Sequence, residues 1–131
     1  MREEPEVPCK FPASERIKSR KQAERLFMGG ENRSFSAYPV RIVYRKAEQQ
    51  GEEGIRTMMS VSKHHFKSAV KRNRVKRQLR EAYRLNKHLV EDHLAGRTYD
   101  MAFIWQADEL YDSKTVEERV IRLLRRMGES I

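Results

Sequence analysis

The chain has 131 residues, of which 28 are Lys or Arg and 19 are Asp or Glu, so its formal net charge at pH 7 is +9. This length fits one compact domain, and a single cysteine, Cys9, excludes an internal disulfide. No apolar run approaches the roughly 18 residues that cross a membrane, and the first residues lack the apolar stretch of a secretion signal. We therefore expect a cytoplasmic protein with no membrane partner.

The N-terminal region divides into an extended segment and a first helix. Three of the four prolines lie in the first dozen residues, and prolines so spaced hold a chain extended. Residues 1–13 are therefore predicted to be a lead-in to a single domain at 14–131. Ser19 followed by Gln22 has the form of a capping box, which predicts a helix over about residues 18–28 that two successive glycines end.

Three segments have the composition of strands. Residues 35–46 alternate and are rich in Val, Ile and Tyr, and residues 55–63 alternate over a shorter stretch. Only a loop over residues 49–54 separates them, so we predict an antiparallel hairpin of two strands. Residues 99–106 are mostly apolar, which is typical of a strand covered on both faces. This third segment is predicted to lie inside the sheet.

Two further helices complete the chain. Residues 69–89 contain no Gly or Pro, which predicts a long helix. Thr115 with Glu118 forms a second capping-box pattern ahead of a closing amphipathic helix, whose apolar positions are Val116, Val120, Leu123, Leu124 and Met127. The order is helix, two or three strands, long helix, strand, helix. This order predicts an α+β fold of two layers, with helices on a mixed sheet.

The positive charge is concentrated on the long helix and the turn before it. Ten Lys and Arg residues lie between Lys63 and His88 against one acid, Glu81, whereas the rest of the chain has 18 basic and 18 acidic residues. At the helical period Lys76, Arg77, Arg80, Arg84 and Lys87 gather with Asn73 on one arc, beside an arc of apolar residues. Such a cluster releases the counterions condensed on nucleic acid, so we predict an RNA-binding face.

Other interpretations of this charge fit the sequence less well. A solvated helix face normally mixes both signs three or four residues apart, and a membrane-bound helix would need the apolar arc that the core requires. A nuclease acting alone would need a carboxylate cluster, and sequence-specific DNA binding would need a second recognition element. His64 and His65 lack further ligands at metal spacing, so no metal site is predicted. A ribosomal or other structural RNA-binding module remains an alternative.

A specific combination of motifs surrounds the long helix. It consists of Ser60-Val61-Ser62-Lys63, then Ala69-Val70-Lys71-Arg72-Asn73-Arg74-Val75-Lys76-Arg77, then Arg80-Glu81, with looser matches at Arg16-Ile17-Lys18-Ser19, Leu26-Phe27 and Tyr38-Pro39-Val40-Arg41. These motifs resemble those of the bacterial ribonuclease P protein subunit. The resemblance implies an α-β-β-β-α-β-α domain whose basic helix lies in a left-handed crossover between parallel strands, against the usual preference.

The resemblance also implies a function. The protein would bind the ribonuclease P RNA and precursor tRNA, and the complex would remove the tRNA 5′ leader by hydrolysis. Catalysis would belong to the RNA and its divalent ions, so we expect no catalytic residue and no cofactor bound by the protein, a Mg²⁺ requirement of the holoenzyme, and no obligate protein partner.

Two groups of site residues follow from the resemblance and the charge run. The expected contacts to the catalytic RNA are Lys63, Lys71, Arg72, Asn73, Arg74, Lys76, Arg77, Arg80 and Arg84. The expected contacts to the leader, in a cleft between the first helix and the sheet, are Phe27, Tyr38, Arg41 and Tyr44. Phe27 fits either a stacking platform or a plain core position. Because residues three apart in a strand face opposite sides, only one pairing of the strand candidates can meet the leader.

Two departures from the family pattern affect these expectations. Ala23 falls where many members have a second aromatic side chain. Five residues, without a glycine, separate Lys63 from Ala69, where many members have four with one. The turn into the long helix is therefore expected to differ locally, and so is the direction of Lys63.

Overall fold

The computed structural model describes residues 16–17, 23–24, 26–27, 30–47 and 54–131. The predicted lead-in and the capping box at Ser19 lie outside the described residues, whereas Ala23, Glu24, Leu26 and Phe27 are helical as predicted. This short helix is called the first helix throughout and has no number. The elements that follow it are β1 (Arg33–Ala37), β2 (Val40–Lys46), β3 (Gly54–Ser60), α1 (Ala69–Asn86), α2 (His88–Glu91), β4 (Thr98–Trp105) and α3 (Ser113–Ser130).

The four strands form one mixed sheet in the order β1-β2-β4-β3. β2 pairs antiparallel with β1 and β4, and β3 pairs parallel with β4. The predicted hairpin between residues 35–46 and 55–63 is therefore wrong. The first of these segments is itself a hairpin, β1 and β2, joined by a turn at Tyr38 and Pro39, and its second strand reaches β3 only through β4. The alternating pattern runs through the turn, which hides the break.

The crossover from β3 through α1 and α2 to β4 joins parallel neighbours, as the family resemblance implies. The order of strands and long helices also agrees with that resemblance. The left-handedness of the crossover stays a prediction.

The main core lies between one face of the sheet and the two long helices. α1 contributes Val75, Leu79 and Tyr83, all fully buried, and α3 packs beside it with its own apolar stripe. Phe103 and Trp105 of β4 point into this core. Full burial of each large apolar side chain contributes about 1.5–3 kcal/mol, so this layer fixes the position of α1.

A smaller core covers the opposite face of the sheet. Leu26 of the first helix is buried there against Val43 and Ala102. β4 is therefore covered on both faces, which confirms the prediction for residues 99–106. Beside it, the Ile17 N–H donates to the Thr57 carbonyl (2.9 Å), so residues 16–17 line the outer edge of β3.

α1 begins where the sequence predicts but ends earlier. The Ser68 hydroxyl caps its first turn by accepting from the Lys71 N–H (3.3 Å). The helix ends at Asn86, whose side-chain amide donates to Ala82 O (2.9 Å) and Glu117 Oε2 (3.0 Å). The chain then continues into α2, so the predicted end at residue 89 is three residues too late.

α3 begins one turn before the predicted capping box. Asp112 is the N-cap, and Thr115 lies at the third helical position. A hydrogen bond from the Thr115 side chain is the main cause that lowers the pKa of Asp112. A lowered pKa means that the carboxylate contributes stability at neutral pH, and that this contribution is lost as the pH falls through the lowered value. The Asp112-x-x-Thr115 pattern thus replaces Thr115-x-x-Glu118.

Helices α2 and α3 approach each other most closely at Gly128. A Cβ atom at this position would lie 2.7 Å from Leu89 O and 3.1 Å from His93 Cδ2. Because the nearer atom belongs to backbone, the helices would have to separate, and such overpacking costs about 1–3 kcal/mol. We expect Gly128→Ala to lower the free energy of unfolding in urea, although alanine favours helix by about 1 kcal/mol.

The matched control is Gly54→Ala, because no atom of the described residues lies within 4 Å of the added Cβ there. We expect this variant to change the free energy of unfolding by less than about 0.5 kcal/mol. A higher urea midpoint for Gly128→Ala than for the parent chain would contradict the close approach.

Candidate nucleic-acid interface

The solvent side of α1 carries the basic arc, which we define as Asn73, Lys76, Arg77, Arg80 and Arg84. Asn73, Arg77 and Arg80 are exposed, and Lys76 and Arg84 are half-buried. The opposite side of the helix is the buried face described above. The predicted separation of charged and apolar arcs is therefore confirmed for these residues. It is wrong for Lys87, which the prediction also placed on the charged arc, because Lys87 is the C-cap of α1 and is only 4% exposed.

Two arginines of α1, one beside the arc and one on it, bind groups of the protein itself. The Arg72 guanidinium donates to the carbonyls of Phe66 (2.8 Å) and Lys67 (2.9 Å), so it closes the turn that leads into α1. Arg84 donates to both carboxylate oxygens of Glu81 (2.6 and 3.1 Å), and this hydrogen bonding is the main cause that lowers the pKa of Glu81. Arg72 therefore shapes the site, and the charge of Arg84 is partly compensated.

The remaining arginines of the helix are differently placed. Arg74, Arg77 and Arg80 are exposed, and within the described ranges their side chains make no hydrogen bond or ion pair. A guanidinium is always protonated and presents its donors as a planar fork that matches phosphate oxygens. These three side chains are thus available to an anionic partner without breaking an internal contact.

A cavity of about 220 Å³ lies between α1 and the outer edge of β3. Its lining includes Lys76, Arg80 and Arg16, and none of the lining residues within the described ranges is acidic. The Thr57 hydroxyl, in a residue only 1% exposed, is buried at this cavity and has no hydrogen-bond partner in the part of the chain described here. Three cations around one cavity make it suited to a phosphate group.

The sequence did not assign Arg16 and Thr57 to this site. Arg16 stands in a run that resembles the family's first helix, but no role attached to it. Thr57 lies in a strand where nothing distinguishes it from other polar residues. Their proximity to α1 comes from the pairing of residues 16–17 with β3, which is not visible in the sequence.

The turn before α1 is held to the loop after β4. His65 Nδ1 lies 2.7 Å from Asp108 Oδ1, and the His64 ring meets the His65 ring edge-on at 5.4 Å between centroids. Lys63 is exposed in the same turn. No group of three or more His, Cys, Asp or Glu side chains is placed to hold a metal ion among the described residues. The turn therefore presents Lys63 beside the N-terminus of α1.

The leader candidates occupy different surfaces. Arg41 lies on the sheet face covered by the first helix and donates to Ser34 Oγ (3.1 Å). Phe27 of that helix is 38% exposed. Tyr44 lies on the other face, is 3% exposed and donates to Ser130 Oγ (2.8 Å), so the structure corrects its assignment as a leader contact. Side chains alternate along a strand, so Arg41 and Tyr44, which are three residues apart in β2, face opposite sides of the sheet as predicted.

Tyr38 lies in the turn between β1 and β2 and is 57% exposed. The pKa of its hydroxyl is raised, chiefly by partial loss of hydration and further by Tyr111 and the acidic side chains of Glu109 and Asp108. The hydroxyl therefore stays protonated, and is a hydrogen-bond donor, throughout the neutral range.

Two arginines missed by the sequence interpretation share the sheet face of Arg41. Arg45 follows Arg41 by four residues in β2, and Arg56 lies on β3. Arg56 Nε lies 2.9 Å from Oδ1 of Asp100, which is buried in β4. Strand alternation alone could have placed Arg45 on this face, whereas the position of Arg56 depends on the pairing with β4.

Comparison with known sequences gives one family. The family model described as Ribonuclease P matches residues 11–128. Two curated sequences from strains of Porphyromonas gingivalis, each named "Ribonuclease P protein component", are 42% identical over 120 residues. The match covers 90% of this chain and 86% of each relative.

Comparison with solved structures gives the same fold. The Staphylococcus aureus RNase P protein has a TM-score of 0.68 at 20% identity, covering 86% of this chain and 94% of that one. The Thermotoga maritima RNase P protein has a TM-score of 0.63 at 24% identity, covering 84% of this chain and 96% of that one. No helix among the described residues is both long and apolar enough to span a membrane.

The contacts of α1 predict different roles for two neighbouring arginines. Arg72→Ala removes two hydrogen bonds to backbone carbonyls, and a hydrogen bond from a charged group contributes about 1.5–3 kcal/mol. We expect it to lower the free energy of unfolding in urea by about 1–3 kcal/mol. Arg74→Ala is the matched control, with an expected change within about 0.5 kcal/mol. Equal unfolding midpoints for the two variants would contradict a structural role for Arg72.

Proposed function

The chain belongs to the family of bacterial ribonuclease P protein subunits, and we propose that it binds the catalytic RNA and the 5′ leader of precursor tRNA in the cytoplasm. In this proposal residues 14–131 form one RNA-binding domain that assists removal of the leader. The hydrolysis itself is carried out by the RNA with divalent ions, Mg²⁺ above all.

The observation that carries the proposal is the set of uncompensated cations on α1. Arg74, Arg77 and Arg80 are exposed on one rigid helix and make no internal ion pair within the described ranges. Each phosphate neutralised by such a side chain releases condensed counterions, which makes binding strong at low salt and steeply salt-dependent. The adjoining cavity adds the cationic side chains of Arg16 and Lys76 to those offered to one phosphate.

The residues offered to the RNA suit binding rather than proton transfer. A guanidinium does not lose its proton in proteins, and the Asn73 amide is not a base, so neither type of group can activate a water molecule. Both types can hold phosphates, riboses and bases in place. We therefore assign orientation and charge neutralisation to the protein, and bond cleavage to the RNA and its ions.

For the leader we propose the sheet face beneath the first helix. Phe27 is exposed enough to stack on a base, a contact that is worth about 1–3 kcal/mol in single-strand binders. Arg41 lies on this face at its β1 side, and Tyr38 lies at the end of the same hairpin. Tyr44 is left out because it is buried on the opposite face.

Reconstitution with a bacterial ribonuclease P RNA tests the proposal. At low Mg²⁺ concentration, we expect the protein to increase cleavage of a precursor tRNA at the mature 5′ end, with no cleavage by the protein alone. The measurement is the rate of leader release with and without the protein. Salt-sensitive RNA binding without any stimulation would contradict the proposal and favour a structural RNA-binding module of ribosomal type.

The single acid of the basic segment gives a further prediction. Glu81→Gln removes the carboxylate that Arg84 binds and raises the net charge of the basic arc by one. We expect the catalytic RNA to bind about three to ten times more tightly at fixed salt, with the slope of log K against log salt steeper by about 0.7–0.9. The lowered pKa keeps Glu81 ionised in the parent chain, so the difference should persist between about pH 5 and pH 8.

Asp92→Asn is the control, because it makes the same change of charge at an exposed position after α2. An equal gain of affinity in both variants would indicate a general effect of net charge and would remove Arg84 from the contact surface.

A further inference from the structure

A second row of arginines lies at the edge of the sheet remote from the basic arc. We define the β1–α3 seam as the surface between the edge strand and the closing helix that carries Arg33, Arg119, Arg122 and Arg126. The last three follow one another at spacings of three and four residues, so they share one flank of α3. At a rise of about 1.5 Å per residue they extend over roughly 10 Å.

Neutral groups hold three of these side chains in place. Arg119 Nε donates to Tyr38 O (3.0 Å), and Arg33 Nη1 lies 3.5 Å from Ser130 Oγ. The Arg126 guanidinium carbon lies 4.1 Å from the centroid of the Phe35 ring. A carbonyl, a hydroxyl or an aromatic ring orients a guanidinium without cancelling its charge.

The seam arginines differ from Arg56 of the sheet, whose charge is compensated by an acidic side chain. Arg56 is paired with the buried Asp100 at 2.9 Å. Among the described residues, the acidic contact of the seam is Glu118 to Arg119 at 3.7 Å, between an exposed and a half-buried side chain, and such surface pairs contribute little. Arg122 is exposed and makes no side-chain hydrogen bond within the described residues. The seam therefore keeps most of its positive charge along α3, and acidic side chains, Asp108 and Glu109, lie near its Tyr38 end.

Two aromatic side chains lie beside the arginines of the seam. The exposed Tyr38 stands at one end of the seam, and Phe35 lies under Arg126 in its middle. Proteins that bind single-stranded nucleic acid combine a basic track with aromatic rings and arginine planes on which bases stack. Packing of α3 on β1 explains the Arg126 contact, but it does not explain the exposure of Arg122 and Tyr38 beside it.

The position of the seam indicates which RNA it would meet. The basic arc borders β3 at one edge of the sheet, and the seam borders β1 at the other, about 14 Å away for strands 4.8 Å apart. The sheet face proposed for the leader lies between these edges, and the Arg41 to Ser34 hydrogen bond joins β2 to β1 on that face. A strand that crosses this face from β3 toward β1 must turn around the β1 edge to reach the seam, because Arg33 and Phe35 lie on the opposite face with Tyr44.

We propose that the β1–α3 seam is a second RNA track, which binds the distal part of the single-stranded 5′ leader after the leader crosses the sheet. Arg119, Arg122 and Arg126 bind its phosphates, and Tyr38 stacks on a base. This inference rests on the proposed function, because it extends the path of the same leader.

The test uses the reconstituted RNA–protein complex and two precursor tRNAs, one with a short leader and one with a leader longer by about ten nucleotides. The variant is Arg122→Gln with Arg126→Gln. The control is Lys114→Gln with Arg125→Gln, which removes two charges from the other flank of α3. Both double variants are compared by urea unfolding, and Arg122→Gln alone provides a version that breaks no internal contact.

We expect the seam variant to bind the long-leader precursor about three to ten times more weakly, with a salt slope smaller by about 1.4, the value for two phosphates of a single strand. Arg122→Gln alone should give about half of that change in slope. The seam variant should bind the short-leader precursor and the catalytic RNA as the parent chain does. The control variant should bind both precursors and the catalytic RNA as the parent chain does.

Three outcomes would overturn the inference. Equal losses in the seam and control variants would show only an effect of net charge. Equal losses for both leader lengths would place the seam outside the leader path, and weaker assembly with the catalytic RNA would assign the seam to that RNA. If the parent chain fails to stimulate cleavage, the proposed function fails and the inference falls with it, whereas a failure confined to the seam leaves the function intact.

Discussion

Burial of one face of α1 is the constraint on which the structure depends. The helix carries a dense run of cations, and each like-charged pair one turn apart costs about 0.2–0.5 kcal/mol. Val75, Leu79 and Tyr83 are fully buried on the opposite face, and each contributes about 1.5–3 kcal/mol. Burial therefore exceeds the repulsion. The same packing fixes the direction in which the arginines point, so the core also sets the geometry of the interface.

β4 connects this core to the rest of the molecule. It lies between β2 and β3 and is covered by the long helices on one face and by Leu26 on the other. The sequence identified β4 as an internal strand from its apolar run, and it located the long helix to within a few residues. It could not show that β2 and β3 both pair with β4, because pairing depends on contacts between segments far apart in the chain. The predicted hairpin failed for that reason.

For the candidate site, too, the sequence predicted local features but not the contacts between distant segments. Periodicity placed the cations of α1 on one arc, and strand alternation separated Arg41 from Tyr44. Strand alternation did not show whether the first helix covers the Arg41 face or the Tyr44 face of the sheet. Nor could it show that Arg72 closes the preceding turn, since its acceptors are backbone carbonyls. The cavity with Thr57 requires the pairing of residues 16–17 with β3, and a contact between segments forty residues apart leaves no local pattern.

The two edge strands of the sheet, β3 and β1, differ in whether their outer backbone groups are hydrogen-bonded. Residues 16–17 hydrogen-bond along the outer edge of β3, whereas no strand lies beside β1 in the described part of the chain. An open edge strand is a template for pairing with a second copy of the same protein, which leads to aggregation. Arg33 on β1 and the arginines of α3 would bring like charges together in any such edge-to-edge dimer. The arginines along this edge thus also favour the monomer, and an anionic polymer bound there would weaken that protection by neutralising them.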